Sequence, residues 1–445
     1  MVEPIELDPV ELDRCLADPE IYEAAIMRIY AKRTRRGQAF AEVTDGITYF
    51  DTVTKRRSFS RAIARSVAAG EYRTQPVELW ELESKGKTRA AHMPAFTDQV
   101  VGSALFQLLS VNARCYGLPG VYSYLPGTSN VAAMRDLAAF VRTNRKQHDR
   151  QPMFVLQSDF DHYGDGLPIG PDAPLWPILR EVAGLGSPRG EVGATTWELI
   201  TSLARPVVRD TDADFVRLYG VAMGTPLVPL LSNLAVTPMD RAIVGIEGVF
   251  YARFNDDFIV AHPDLDAIHE ADRLIDSLTG QLGVKRKAAK EIRTSLAGHA
   301  MESAEDPAFR GGNRIDCLGM SVSHAGALTV GPHRLRRFLK RISDRLNGAA
   351  GSLRELPVRI RASHLVEAAN VMLDPQSPFA VSGLSALIDT TTDRGALKDI
   401  DFRITRAIVQ AATGIPGVRG FRVLAPRVLR DELGLVSLVN LRNSK

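Results

Sequence analysis

Gly248-Val-Phe-Tyr-Ala-Arg-Phe-Asn-Asp-Asp-Phe-Ile-Val-Ala-His262 places two adjacent carboxylates, Asp256 and Asp257, inside a run that is otherwise apolar and aromatic. Phe250, Ala252 and Phe254, then Phe258, Ile259 and Val260, predict two short strands, with Asn255-Asp256-Asp257 at the turn between them. Two neighbouring carboxylates repel, and one holds its proton unless a counter-charge is near; a hard divalent cation lets both ionise. Mg2+ is the natural candidate. Taken alone, the stretch reads more readily as an Asn-Asp-Asp turn with no chemistry, so the rest of the chain has to decide.

Working outward, a second acidic strand end stands upstream. Phe154-Val-Leu-Gln-Ser-Asp-Phe-Asp-His-Tyr-Gly-Asp-Gly-Leu-Pro168 starts as a buried strand and runs into Asp159, Asp161 and Asp165. Alternation puts Asp159 and Asp161 on one face, a metal pair in its own right, against the reading of a surface acidic loop. Between the two acidic stretches lies Gly220-Val-Ala-Met-Gly-Thr-Pro-Leu-Val-Pro-Leu-Leu-Ser-Asn233, a glycine and proline loop that leads into a helix. Such a loop lets backbone approach a flat ligand, or simply precedes a core helix.

The 445 residues suffice for two to four domains, and 45% hydrophobic with 24% charged residues is an ordinary globular balance. A net charge of only +3 means that nucleic-acid contact would have to come from local clusters, at Lys32 to Arg36, Lys55 to Arg57, Lys285 to Lys290 and Arg334 to Arg345. Cys15, Cys115 and Cys317 are far apart, which suggests neither a zinc module nor a disulfide framework. The acidic opening residues and the lack of an apolar run of about 18 residues lead us to expect no signal peptide, no membrane partner and a cytoplasmic location.

Residues 1 to about 75 have helical spacing, for example Ile21, Ala24, Ala25 and Ile29. Arg73 to Pro94 predicts a hairpin with a basic tip, Ser84-Lys-Gly-Lys-Thr-Arg89, and Asp98 opens a helix. A loop over Val121 to Ser129 precedes a helix from Val131 to Val141. Leu265 to Leu282 is amphipathic, Gly283 to Lys290 is a basic turn and strand, and Ile315 to Ser323 alternates as one strand. Leu335, Phe338, Leu339, Ile342 and Leu346 form one helix face, with Arg334, Arg337, Arg341 and Arg345 along another. Residues 352 to 445 are expected to be mainly helical.

Over roughly residues 80 to 325 these pieces, in this order, resemble the bacterial reverse transcriptases of the group II intron type and their domesticated relatives. Lys87 and Arg89 resemble the cationic fingers motif, and Asp98-Gln-Val-Val the Asp-Arg-x-Val-Gln block. Tyr122-Ser-Tyr-Leu-Pro-Gly-Thr-Ser129 is similar to the Ser-Tyr-Gly-Phe-Arg-Pro-Gly-Arg-Ser loop. Gly224 to Asn233 is similar to Gly-x-Pro-x-Ser-Pro-Leu-Leu-x-Asn, Phe254 to Asp257 to Tyr-x-Asp-Asp, Gly283 to Lys290 to the block ending in lysine, and Cys317-Leu-Gly-Met to the primer grip. Residues 395 to 408 and 428 to 435 faintly resemble the end of the maturase RNA-binding domain.

The resemblance implies an α+β right-hand polymerase: a helical segment over 1–75, fingers over 76–150, a palm with an antiparallel sheet over 151–325, and a helical thumb with a maturase-like region over 326–445. It implies two Mg2+ ions held by Asp159, Asp256 and Asp257, with Lys290 acting on the leaving pyrophosphate. Lys87 and Arg89 would clamp the triphosphate. Phe160, Tyr163, Gly164, Gly224 and Asn233 would line the nucleotide site, with Gly224 leaving room for the templating strand. Arg334, Arg337, Arg341 and Arg345 would track a duplex by its phosphates. The implied partners are an RNA template or a dedicated non-coding RNA, a DNA product and deoxynucleoside triphosphates, with self-association left open.

The chain departs from the family pattern at several points. The sugar-discriminating aromatic expected five residues after Asp159 falls on Gly164, which makes Tyr163 the candidate gate. Leu125 and Thr128 replace two arginines, Val228 replaces a serine, and no endonuclease with paired Cys or His ligands is recognisable. These departures favour a domesticated RNA-directed DNA polymerase, with antiphage defence as the expected role. The alternative from another class is a maturase that binds structured RNA as a splicing cofactor and uses its palm as scaffold.

Overall fold

A computed structural model describes residues 7–44, 46–84, 87–147, 151–210, 213–297 and 306–443, a mixed α+β chain in two compact units. The first unit comprises residues 1–130 and 155–292, the second 131–154 and 293–445. The helix Asn130–Gln147, which sequence reading grouped with the fingers, thus falls almost wholly within the second unit.

The first unit is built around residues 155–161 of the strand Met153–Asp161, which is buried along all but its last residue. Its Phe-Val-Leu run suits a strand covered on both faces. On one side it is hydrogen-bonded to Asp257–His262, which pairs antiparallel with Phe250–Phe254; Lys285–Arg286 pairs antiparallel with its carboxyl end. The expected hairpin is therefore present. Its closing pair is Phe254 and Asp257, so Asn255 and Asp256 form the turn and Asp257 already begins the return strand. Asn255 takes φ 62°, a left-handed conformation that asparagine tolerates better than most residues. Helices pack alongside, among them Phe96–Tyr116, Val228–Ala235 and Leu265–Gln281.

A four-stranded sheet lies in the same unit, in the order Lys87–Met93, Val77–Ser84, Val207–Arg209, Asp214–Val216. Its first two strands are the hairpin expected from the basic tip. The amino-terminal segment is helical over Leu12–Leu16, Pro19–Thr34, Tyr49–Thr54 and Arg56–Ala68, but two short strands, Glu42–Thr44 and Ile47–Thr48, interrupt it.

The second unit buries an apolar core between three helices, Pro332–Ser352, Val358–Leu373 and Arg394–Thr413. Phe338, Ile342 and Leu346 follow one another at four-residue steps, as do Ile400, Ile404 and Ile408, so each helix turns one stripe inward. A three-stranded antiparallel sheet adjoins them. Here the structure corrects the sequence: Ile315 to Ser323 is two strands, Arg314–Cys317 and Met320–Ser323, because Leu318 and Gly319 both adopt positive φ (50° and 77°) and reverse the chain. Arg142 ties the helix Asn130–Gln147 to this sheet by donating to the carbonyl of Gly326 at 2.7 Å. No helix among the described residues is long and apolar enough to cross a membrane.

Candidate active site

The carboxyl end of the strand Met153–Asp161 meets the tip of the 250–262 hairpin. The amide of Phe160 donates to the carbonyl of Asp256 at 3.1 Å, which fixes Asp159 and Asp256 on neighbouring segments although they are far apart along the chain. Asp159 is only 2% exposed. One of its carboxylate oxygens is bonded to the ammonium of Lys290; the other, Oδ1, is buried with no partner. Lys290 closes the short 3-10 turn Ala288–Lys290, and the amide of Lys287 anchors that segment by donating to the carbonyl of Asp159 at 2.8 Å.

These groups share one electrostatic field. The Asp257 carboxyl is pushed up to about 6, first by burial and then by the Asp256 charge, with Lys290 opposing and Asp159 adding a smaller push. Lys290 is in turn raised, first by its hydrogen bond to Asp159, which outweighs the opposing effect of burial, and then by the charges of Asp159, Asp257 and Asp256. The side-chain amide of Asn255 donates to Asp256 at 2.9 Å. Asp161, two residues on from Asp159 in the same strand, lies 3.6 Å from the ammonium of Lys287.

Hard oxygen donors, mutual repulsion and an orphaned buried oxygen on Asp159 are what a divalent cation would answer, so the residues present fit Mg2+. Among the described residues no three His, Cys, Asp or Glu side chains close into a ready ligand cluster. The Lys290 ammonium is the cation that Asp159 holds here.

Behind the carboxylates is a buried polar network of which sequence reading singles out only Asn233, as a residue of the nucleotide site. Arg253, in the strand before the turn, and Asp240, in the helix Thr237–Val244, are each 0% exposed and paired at 2.6 Å. Tyr251 donates its hydroxyl to Asp240 at 2.6 Å. Asn233 is wholly buried and exchanges bonds with Ser123: its amide donates to the Ser123 carbonyl at 2.7 Å, and the Ser123 hydroxyl donates to its oxygen at 2.9 Å. The signal was visible as one charged letter, Arg253, in an otherwise apolar strand; its partner is not inferable from spacing.

The remaining expected site residues are placed as follows. The Phe160 and Tyr163 rings are both buried and stacked at 4.8 Å, and the Tyr163 hydroxyl donates to the carbonyl of Ser232. Met223 covers Gly164, where a Cβ would lie 2.9 Å from its sulfur. Gly224 has φ 113°, and a Cβ there would come within 2.6 Å of the carbonyl oxygen of His92, so the chain's own backbone already requires glycine, before any template strand is considered. Lys87 and Arg89 stand on the strand Lys87–Met93; their side chains lie outside the described residues. In the second unit, Arg334, Arg337, Arg341 and Arg345 are all exposed on the helix Pro332–Ser352. Arg341 donates to the carbonyl of Ser382 at 3.1 Å and Arg345 to that of Phe379 at 2.9 Å.

No family model and no curated protein matches the chain. Among solved structures it is similar to apo telomerase from Candida tropicalis truncated from its C-terminal domain, with 13% identity over 57% of this chain and 56% of that one and a TM-score of 0.42. It is also similar to telomerase from Candida albicans in complex with a fragment of telomeric RNA (11% identity, 82% and 67% covered, TM-score 0.46) and to apo telomerase from Candida tropicalis (11%, 81% and 68%, 0.45). The chain thus spans little more than half the length of the first of these.

Proposed function

We propose that this protein is an RNA-directed DNA polymerase whose nucleotidyl transfer runs at Asp159, Asp256 and Asp257. The observation that carries the reading is the meeting of a buried strand-end carboxylate with a hairpin-tip carboxylate pair and one lysine, Lys290, in the first unit. In the right-hand description, the sheet holding these residues is the palm, the 77–93 hairpin belongs to the fingers, and the helix Pro332–Ser352 begins the thumb.

Asp159, Asp256 and Asp257 would hold the magnesium ions. Bound there, Mg2+ supplies the charge that activates a primer 3′ hydroxyl and steadies departing pyrophosphate. Lys290, its ammonium strengthened by the carboxylates around it, holds a proton at Nζ for the leaving oxygen. Lys87 and Arg89 would bind the triphosphate of a deoxynucleotide, and the exposed arginines of Pro332–Ser352 would contact the phosphates of an RNA and DNA duplex. Leu125, Thr128 and Val228, where relatives carry other residues, support a dedicated RNA template; we place such an enzyme in the cytoplasm, in antiphage defence.

The test is to sequence the nucleic acid that co-purifies with the protein, together with whatever it synthesises from the four deoxynucleotides. DNA complementary to a co-purifying RNA is the expected result. Bound RNA with no nucleotide incorporated would overturn the polymerase reading in favour of an RNA-binding splicing cofactor.

A further inference from the structure

The least economical feature of the first unit is the ion pair between Arg253 and Asp240. Removing both charges from water costs several kcal/mol per ion even after relaxation, and well-packed apolar residues of similar volume often serve stability as well or better. The geometry of the guanidinium shows what the pair does instead. A guanidinium has five N–H donors in a fixed fork, and each donor of Arg253 has an acceptor. Nε reaches Asp240 Oδ1 at 2.8 Å, and Nη2 reaches Asp240 Oδ2 at 2.6 Å and the Asn233 carbonyl at 3.0 Å. Nη1 reaches the Asn255 carbonyl at 3.1 Å and Asn233 Oδ1 at 3.4 Å.

Asn255, the first turn residue, is therefore held from both ends. Its carbonyl accepts from Arg253, and its amide donates to the Ser123 hydroxyl at 3.0 Å. Ser123 is fixed in turn by Asn233, and its loop runs beside the strand, with the Tyr122 amide on the Arg253 carbonyl at 2.8 Å and the Arg253 amide on the Gly120 carbonyl at 2.7 Å. A left-handed non-glycine residue persists where its surroundings over-determine it.

We infer that Arg253, Asp240, Asn233 and Ser123 form a positioning device that locks Asn255 and so aims the Asp256 and Asp257 carboxylates that follow it. These are positioning residues: none is a carboxylate of the site, and they act on the turn through its backbone. For its catalytic consequence the inference rests on the polymerase reading above; for its mechanical content it does not.

Hydrogen exchange followed by mass spectrometry, on Arg253→Lys and Ser123→Ala in the full chain, decides the mechanical part. Lysine keeps the charge but has no fork, and alanine deletes a single hydroxyl, so Ser123→Ala carries the test if the arginine variant does not fold. We expect amides of residues 256–258 to exchange at least about tenfold faster in both variants, with peptides of the helix Pro332–Ser352 unchanged as internal control. We expect kcat to fall at least about tenfold, with KM for deoxynucleotides changed less than about twofold, because aim is lost and ground-state binding is not. A thermal midpoint that drops while exchange at the tip stays at the wild-type rate would overturn the inference and leave Arg253 and Ser123 as core packing. A wild type that incorporates no nucleotide while the variants still loosen the tip would sink the polymerase reading and leave the positioning device standing.

Discussion

Asp257 is the residue whose titration reports most directly on the site. Its carboxyl lies at about 6 against an ordinary 3.8, with burial the first cause and the Asp256 carboxylate the second. Between those two values the folded chain keeps a proton that the unfolded chain has released, so stability falls as pH rises and the full cost is present above about 6. In chelator, Asp257→Asn should therefore raise the thermal midpoint at pH 7.5, by the equivalent of no more than about 1 kcal/mol because the residue's surface is open to solvent although protein atoms crowd its carboxyl, and leave it unchanged at pH 3.5. Equal gains at both pH values would mean that ionisation is not the cause. At Gly224, a Cβ meets the His92 carbonyl and the backbone is left-handed, so Gly224→Ala should cost about 1–3 kcal/mol in urea unfolding whether or not nucleic acid is bound. At this scale the sequence was most legible where a residue breaks its surroundings, as Asp159, Asp256 and Asp257 do in apolar runs. Tyr163, the candidate sugar gate, was less legible: nothing in its local pattern signals that its ring stacks on Phe160 and that its hydroxyl donates to the backbone carbonyl of Ser232.

Among the elements, strands that end in carboxylates could be read because period-two alternation and a polar turn coincide at Asn255. The hairpin at Leu318-Gly319 could not, since a leucine at positive φ carries no turn signature and the apolar alternation runs straight through it. The helix Pro332–Ser352 has the two expected faces, but its arginines divide their work. Arg345 is already committed to the Phe379 carbonyl, whereas no acceptor competes in that way for Arg337 among the described contacts. Arg337→Glu should weaken binding of an RNA–DNA duplex and reduce the salt slope of log K by about one or more, without moving the urea midpoint; an unchanged slope would remove this helix from the interface. The helix Arg394–Thr413 starts at Asp393, whose carboxylate accepts from the amides of Gly395 and Ala396 at 2.7 and 3.2 Å. Asp393→Ala should cost about 1 kcal/mol of stability, read in urea, with the carboxylate site unaffected.

For the whole molecule, the order of blocks along the chain was readable before any fold was known, because each block carries its own glycine, proline or charge pattern. The partition into two units was not. Residues 131–154 join the second unit through contacts such as Arg142 with the Gly326 carbonyl and Arg145 with the carbonyls of His324 and Leu296, long-range pairings that leave no local trace in the sequence. The buried network behind the hairpin has the same character: Ser123, Asn233, Asp240 and Arg253 come from four separate segments. The proposed chemistry would need the first unit's three carboxylates to act together. The direct measurement is primer extension on an RNA template with Mg2+ by purified wild type, Asp159→Asn and Asp256→Asn, all three checked for equal folding. Extension by the wild type and a loss of at least about a thousandfold in each variant is what paired-metal chemistry at these residues requires; extension by either variant at the wild-type rate would contradict it.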